Sequence, residues 1–153
     1  MNIKKRLAWM ARQAETEQRR YIVLYYALIR NKAYVEAENV DDAMQTAADK
    51  LLTDMRQTGA LHVSKNVRTL SVNKFDQDVY RVDMEVSVAY AAETKAENAV
   101  AAIDATTFVC NDAYWCGGWC DRSWVAVVKN ENGAVVWDDA DTVRRYTADF
   151  GAP

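Results

Sequence analysis

Proline occurs once in the 153 residues, at the last position, and glycine only five times. That scarcity excludes low-complexity tracts and argues against long flexible linkers. One histidine, His62, stands without a recognisable Ser or Cys nucleophile motif, and no glycine-rich phosphate loop is present. No apolar run approaches the roughly 20 residues needed to span a bilayer. The N-terminus opens like an export signal with Lys4, Lys5 and Arg6, but Arg12 and Glu15 fall where its apolar core belongs. Three cysteines, an odd number, suit a reducing compartment better than a disulfide framework. The expected location is cytoplasmic, with no membrane partner. A net charge of −3 gives no overall basic footprint for duplex nucleic acid.

What is present is an ordinary globular composition, half hydrophobic and about a quarter charged, in a length that suits one domain over residues 1–153. One stretch departs from the average. Thr107 to Trp137 holds all three cysteines, four of the five tryptophans and three of the five glycines.

Residues 2–19 carry Ile3, Leu7, Met10 and Ala14 at helical spacing, with Lys5, Arg12 and Arg19 on the opposite side near Trp9. Residues 1–20 hold six basic and two acidic residues. The functional reading is a nucleic-acid backbone or an acidic partner met by Lys5, Trp9, Arg12 and Arg19. The plainer reading is a surface helix packed on the core with a solvated basic face. The apolar run from Tyr21 to Ile29 predicts a central strand covered on both sides, one of them by this helix. Arg30-Asn31-Lys32 reads as a turn into a second strand, 33–37.

Asn39 caps a helix whose apolar stripe is Val40, Ala43, Met44, Ala47, Leu51 and Met55, closed by Gly59. Leu61–Val72 reads as an irregular strand broken near Asn66. After an Asp76-Gln77-Asp78 turn, Val79–Tyr90 alternates apolar and polar residues. Thr94-Lys95-Ala96-Glu97 has the form of a capping box before a short helix. Asn111–Arg122 reads as a loop, Ser123–Lys129 as a strand, and Asn130-Glu131-Asn132-Gly133 as a hairpin turn back through 134–137. Asp141 caps a last helical turn or two. Two segments, Val35–Asn39 and Tyr90–Thr94, echo each other before alanine-rich helices. The expected fold is α+β, an antiparallel sheet with helices mainly on one face, in the order α-ββα-ββα-ββ.

Three constellations carry candidate chemistry. Cys110, Cys116 and Cys120, with His62, supply four zinc-type ligands, although the spacing lacks a C-x-x-C pair. Buried, idle thiols are the plainer account, and no cofactor is expected. Tyr114, Trp115, Trp119 and Trp124 surround Gly117-Gly118, a pair that lets a loop present aromatic rings to a partner. The alternative is a satellite core. Asp138, Asp139 and Asp141 offer an acidic contact, or they end a strand and cap a helix. Together these features favour a non-enzymatic protein-binding module over an enzyme. In character the chain looks like small phage and mobile-element proteins that bind and block a host defence or nucleic-acid-handling complex. The apolar strand and spare aromatics also make a homodimer an option.

Overall fold

A computed structural model describes residues 2–106 and 118–153, leaving out the side chains of residues 11–17. The described chain is α+β, with four helices and one six-stranded antiparallel sheet. Its elements are α1 (Ile3–Glu17), β1 (Arg19–Glu36), α2 (Val40–Arg56), β2 (His62–Val63), β3 (Arg68–Asp76), β4 (Val79–Ala96), α3 (Ala99–Ala105), β5 (Gly118–Lys129), β6 (Val135–Asp138) and α4 (Ala140–Phe150). The strand order is β2-β4-β1-β5-β6, and β3 also pairs with β4, beside β2. No helix among the described residues is long and apolar enough to cross a membrane.

Two 18-residue strands form the spine. β1 and β4 pair over their whole length, from Arg19 opposite Ala96 to Glu36 opposite Val79. The expected turn at Arg30-Asn31-Lys32 is absent. Those residues lie inside β1, opposite Glu85, Met84 and Asp83. The segment contains neither Gly nor Pro, the residues that force a tight reversal. Its side chains alternate instead, with Asn31, Ala33 and Val35 buried and Lys32, Tyr34 and Glu36 exposed. The order is therefore α-β-α-βββ-α-ββ-α, not α-ββα-ββα-ββ.

Both ends of this strand pair carry the same joint. Ala37-Glu38-Asn39 leads from β1 into α2, and Ala96-Glu97-Asn98 leads from β4 into α3. Each Asn has φ −154° and ψ 175°, and its side chain accepts the N–H of the residue three further on. Both alanines are buried. The joints are related by an approximate two-fold axis through the Leu28–Ser87 pair. The internal echo is thus Ala-Glu-Asn with Ala-Glu-Asn, displaced from the Val35–Asn39 and Tyr90–Thr94 alignment. The Thr94 capping box does not form, because pairing with Arg19 and Arg20 holds Lys95 and Ala96 in β4. Asn98 takes the cap.

A two-fold axis normal to a sheet leaves both helices on the same face, and that is where they lie. The first face collects Tyr25, Ala27, Ile29 and Val35 of β1 with Tyr80, Val82, Met84, Val86 and Val88 of β4. Ala43, Ala47, Leu51 and Met55 of α2 close over them. Tyr21, Val23, Ala96 and Val128 lie beneath Ala102 of α3. Among the described residues the second face is covered over only part of its length, by Tyr146, Val143 and Phe150 of α4 on Tyr26, Leu28, Ala89 and Ala126. Helices therefore occupy both faces. The N-terminal helix covers neither in its described part, since residues 2–10 are all exposed. Its expected packing against the core is not seen.

At the C-terminal end the Asn130–Gly133 hairpin forms as expected, with Gly133 at φ +79°. The last helix runs well beyond the expected turn or two, and its cap is Asp139 rather than Asp141.

Candidate functional site

The part of the second face that no described element covers lies at the β1 end opposite α1. There β1, β4, β3 and the start of β5 present side chains to solvent, side by side. Alternation along β1 brings Arg30, Lys32, Tyr34 and Glu36 to this face. β4 contributes Arg81, Asp83 and Glu85, and β3 contributes Arg68 and Ser71 through its register with them. Trp119 enters from β5, opposite Arg30.

These charges neutralise one another. Arg30 Nε donates to Glu85 Oε2 at 3.2 Å, while another Arg30 nitrogen lies 3.7 Å from Asp121. Arg68 reaches the other Glu85 oxygen at 4.0 Å. Ser71 Oγ donates to Asp83 at 2.8 Å, and Arg81 Nε stands 3.5 Å from the second Asp83 oxygen. The two facing atoms of that last pair are buried and make no hydrogen bond, so their attraction is ionic only, although both side chains are partly exposed. Three arginines thus balance three carboxylates in two neighbouring groups, Arg30 and Arg68 with Glu85 and Asp121, and Arg81 with Asp83. Partly exposed pairs of this kind add little stability each, about 0–1 kcal/mol. They do fix the geometry of the surface they cover.

Aromatic rings stand among these pairs. Tyr34 and Phe75 meet edge to face at 5.0 Å, and both are more than half exposed. Lys32 Nζ lies 5.8 Å from the centroid of Trp119. Beside that ring a groove of about 200 Å³ runs between β5 and β3, lined by Arg30, Lys32, Leu70, Ser71, Asp83 and Trp119 among others. Gly118 permits the strand to start so close to β1, since a Cβ there would sit 2.9 Å from the Arg30 carbonyl oxygen.

The sequence-derived candidates divide. Tyr114, Trp115, Cys110 and Cys116 lie outside the described residues. Trp119 and Trp124 lie on β5, not in a loop, because β5 begins at Gly118. Trp119 joins the open surface. Trp124 packs beside Tyr26 under α4, with the Arg145 guanidinium 5.0 Å from its ring. Asp138 ends β6, and Asp139 caps α4 by accepting from the Thr142 backbone and hydroxyl. Asp141 pairs with Arg144 one turn on. These carboxylates have local structural work.

Cys120 and His62 are not brought together. Cys120 packs towards the first face, against the core under α2, while His62 stacks on Phe150 over the second face at 5.6 Å. Their strands are three spacings apart, each about 4.8 Å. A zinc site shared by the two does not fit this arrangement. Among the described residues no group of three His, Cys, Asp or Glu side chains is placed to hold a metal. On α1, Lys5 and Trp9 are exposed, Arg12 has no described side chain, and Arg19 opens β1 in solvent.

A second polar cluster lies under α4. Tyr26 donates to Asp149 at 2.5 Å and also bonds Ser87 Oγ at 2.6 Å. Burial, together with the bond to Asp149, pushes the Tyr26 phenol up to about 12. Such a phenol stays protonated at neutral pH and serves as a donor, which suits a clasp between α4 and the sheet better than a base.

Comparison of the chain with known protein families, with curated proteins and with solved structures finds no match. The open surface therefore carries the functional reading on its own chemistry. Sequence reasoning missed Tyr34, Phe75 and Lys32. The signal was the alternation of Lys32, Tyr34 and Glu36 with Asn31, Ala33 and Val35, which is visible only if residues 30–36 continue the strand.

Proposed function

We propose that this protein is a non-enzymatic binding module that engages another protein through the open half of its second sheet face. One observation carries the reading. Tyr34, Phe75 and Trp119 stand on a surface that no described helix covers, set among arginines already paired with carboxylates. Interface hot spots combine aromatic anchors with arginine, surrounded by polar contacts that exclude water. A surface neutral in itself does little long-range steering, so recognition here rests on ring anchors and shape. Blocking a host defence or nucleic-acid-handling complex is a role such a surface can perform, and the blocked subunit is the partner to seek.

The test is capture of the partner from source-cell extract by the wild-type chain and by a Tyr34→Ala/Phe75→Ala/Trp119→Ala variant. Tyr34 and Phe75 are largely exposed, so the variant stays folded, with retention of the partner reduced at least tenfold. A folded variant that still retains the partner sinks this reading.

A second reading keeps nucleic acid on α1, because Lys4, Lys5, Arg6 and Trp9 are all exposed. Affinity for a single-stranded oligonucleotide then falls steeply with salt and depends on Lys5, Arg12 and Arg19. No binding at low salt removes it.

A further inference from the structure

The first face carries a second unfilled feature, on the outside of α2. A groove of about 330 Å³ runs between α2 and β3, lined by Asp41, Met44, Gln45, Ala48, Val67 and Thr69. Its floor is apolar, from Met44, Ala48 and Val67. Asp41 is the one charged residue of its lining. A separate hollow of about 340 Å³, at the start of the same helix, is bounded by Glu36, Glu38, Asp42 and Asp78. From Glu36 to Asp49 the chain has five carboxylates and no basic residue.

The same molecule carries the complement. α1 exposes Ile3 (77%), Leu7 (59%) and Met10 (52%) on one stripe, next to Lys4, Lys5 and Arg6. Residues 2–10 contain no acidic side chain. An amphipathic helix gains its stability chiefly by burying its apolar face, and this one buries none of it in the described part.

α1 cannot fill the groove of its own chain. It is tied to β1 at Arg19, whereas the groove lies near the other end, where Thr69 pairs with Met84 and Met84 with Asn31. Twelve strand residues separate Arg19 from Asn31, about 40 Å at about 3.3 Å each. A helix of 15 residues extends about 22 Å.

We propose that α1 docks into the α2–β3 groove of a second copy of this chain, and that the second copy returns the contact. A reciprocal exchange buries both stripes and closes as a two-fold dimer, the commonest symmetry of soluble oligomers. It uses the outside of α2 and leaves the Tyr34–Trp119 surface free, so it goes beyond the binding role proposed above.

Sedimentation of the full chain across concentration tests it. The expected result is a mass of twice 17.3 kDa at high concentration, dissociating as salt is raised. Leu7→Asp and Met44→Asp, each alone, give monomers with unchanged circular dichroism in the strand region. Mixing the two variants restores a dimer, because one intact helix then meets one intact groove. A wild-type chain that stays monomeric at every concentration overturns the proposal and leaves the α1 stripe to a foreign partner. A dimer that persists in the Leu7→Asp variant overturns it as well. Should Met44→Asp unfold the chain, the exposed pair Lys5→Glu and Asp41→Lys replaces it: each change alone weakens the dimer and the two together restore it.

Discussion

α1 and α2 begin alike and finish in opposite surroundings. Each has an Asn cap accepting the N–H three residues on, at 2.9 Å from Asn2 and 2.8 Å from Asn39. Each shows an apolar stripe at helical spacing. Yet Ala43, Ala47, Leu51 and Met55 of α2 are almost wholly buried, while Ile3, Leu7 and Met10 of α1 are more than half exposed. Helical periodicity states that a stripe exists and leaves open what covers it. Two features separate the helices. α2 offers alanines, which let its backbone approach the sheet closely, and it follows a joint that aims it back across the first face. α1 offers bulky residues and puts Lys4, Lys5 and Arg6 in its first turn, against the helix dipole, where α2 has Asp41 and Asp42.

The sharpest way to break this comparison is to truncate one stripe residue in each helix. Leu51→Ala removes a buried side chain from the centre of the core and is expected to cost about 2–5 kcal/mol. Leu7→Ala is expected to change stability by no more than about 0.5 kcal/mol. Urea denaturation at a concentration where the chain is monomeric measures both. A comparable loss at Leu7 shows that α1 packs on its own fold, and removes the basis for a docking role.

α4 extends the comparison, because a polar clasp supplements its apolar cover. Tyr26 ties Asp149 to Ser87 across the second face. Its phenol ionises near 10.0 when unfolded and at about 12 in the fold. Below pH 10 both states hold the proton, so the clasp contributes in full. Between pH 10 and about 12 the unfolded state loses its proton first, and stability falls as pH rises. Tyr26→Phe should cost about 1–2 kcal/mol at pH 8, the usual range for lost hydrogen bonds. It should also flatten the decline above pH 10. An unchanged alkaline slope in the Phe variant assigns that slope to another group, Tyr146 first, since burial raises its phenol too.

Much of this architecture was legible in the residues. The α2 stripe, the alternation of β4, the Asp76–Asp78 turn and the Asn130–Gly133 hairpin all rest on local chemistry, and local chemistry decided them, except that Val40, placed on the stripe by its spacing, is exposed in the first turn and Met44 is only partly buried. The failures share a cause, which is pairing with distant strands. Arg30-Asn31-Lys32 looks like punctuation until Glu85, Met84 and Asp83 lie opposite. Thr94 and Glu97 spell a cap until β1 holds Lys95 in the sheet. The open surface was the least legible, because Tyr34, Phe75 and Trp119 come from three strands and no local pattern joins them. Trp119 was singled out for its composition, and the fold gave it a different setting from the loop expected.

The three asparagine caps give the smallest and most discriminating contrast. Asn2, Asn39 and Asn98 make nearly identical bonds, at 2.9, 2.8 and 2.9 Å. Replacing an N-cap by alanine typically costs about 1 kcal/mol, but only of the helix that the cap begins. For Asn39 that helix is part of the core, so Asn39→Ala should lower global stability by about this amount. At Asn98 the helix has seven residues and buries only Ala102 fully, so a smaller loss is expected. At Asn2 the helix is not coupled to the described core, and Asn2→Ala should leave the unfolding midpoint of the monomer unchanged while lowering the helical signal at 222 nm. That same change should weaken self-association, because a frayed α1 must first be ordered before it can enter the groove. A shift of the monomer midpoint by Asn2→Ala equal to that of Asn39→Ala would mean that the two helices are alike after all.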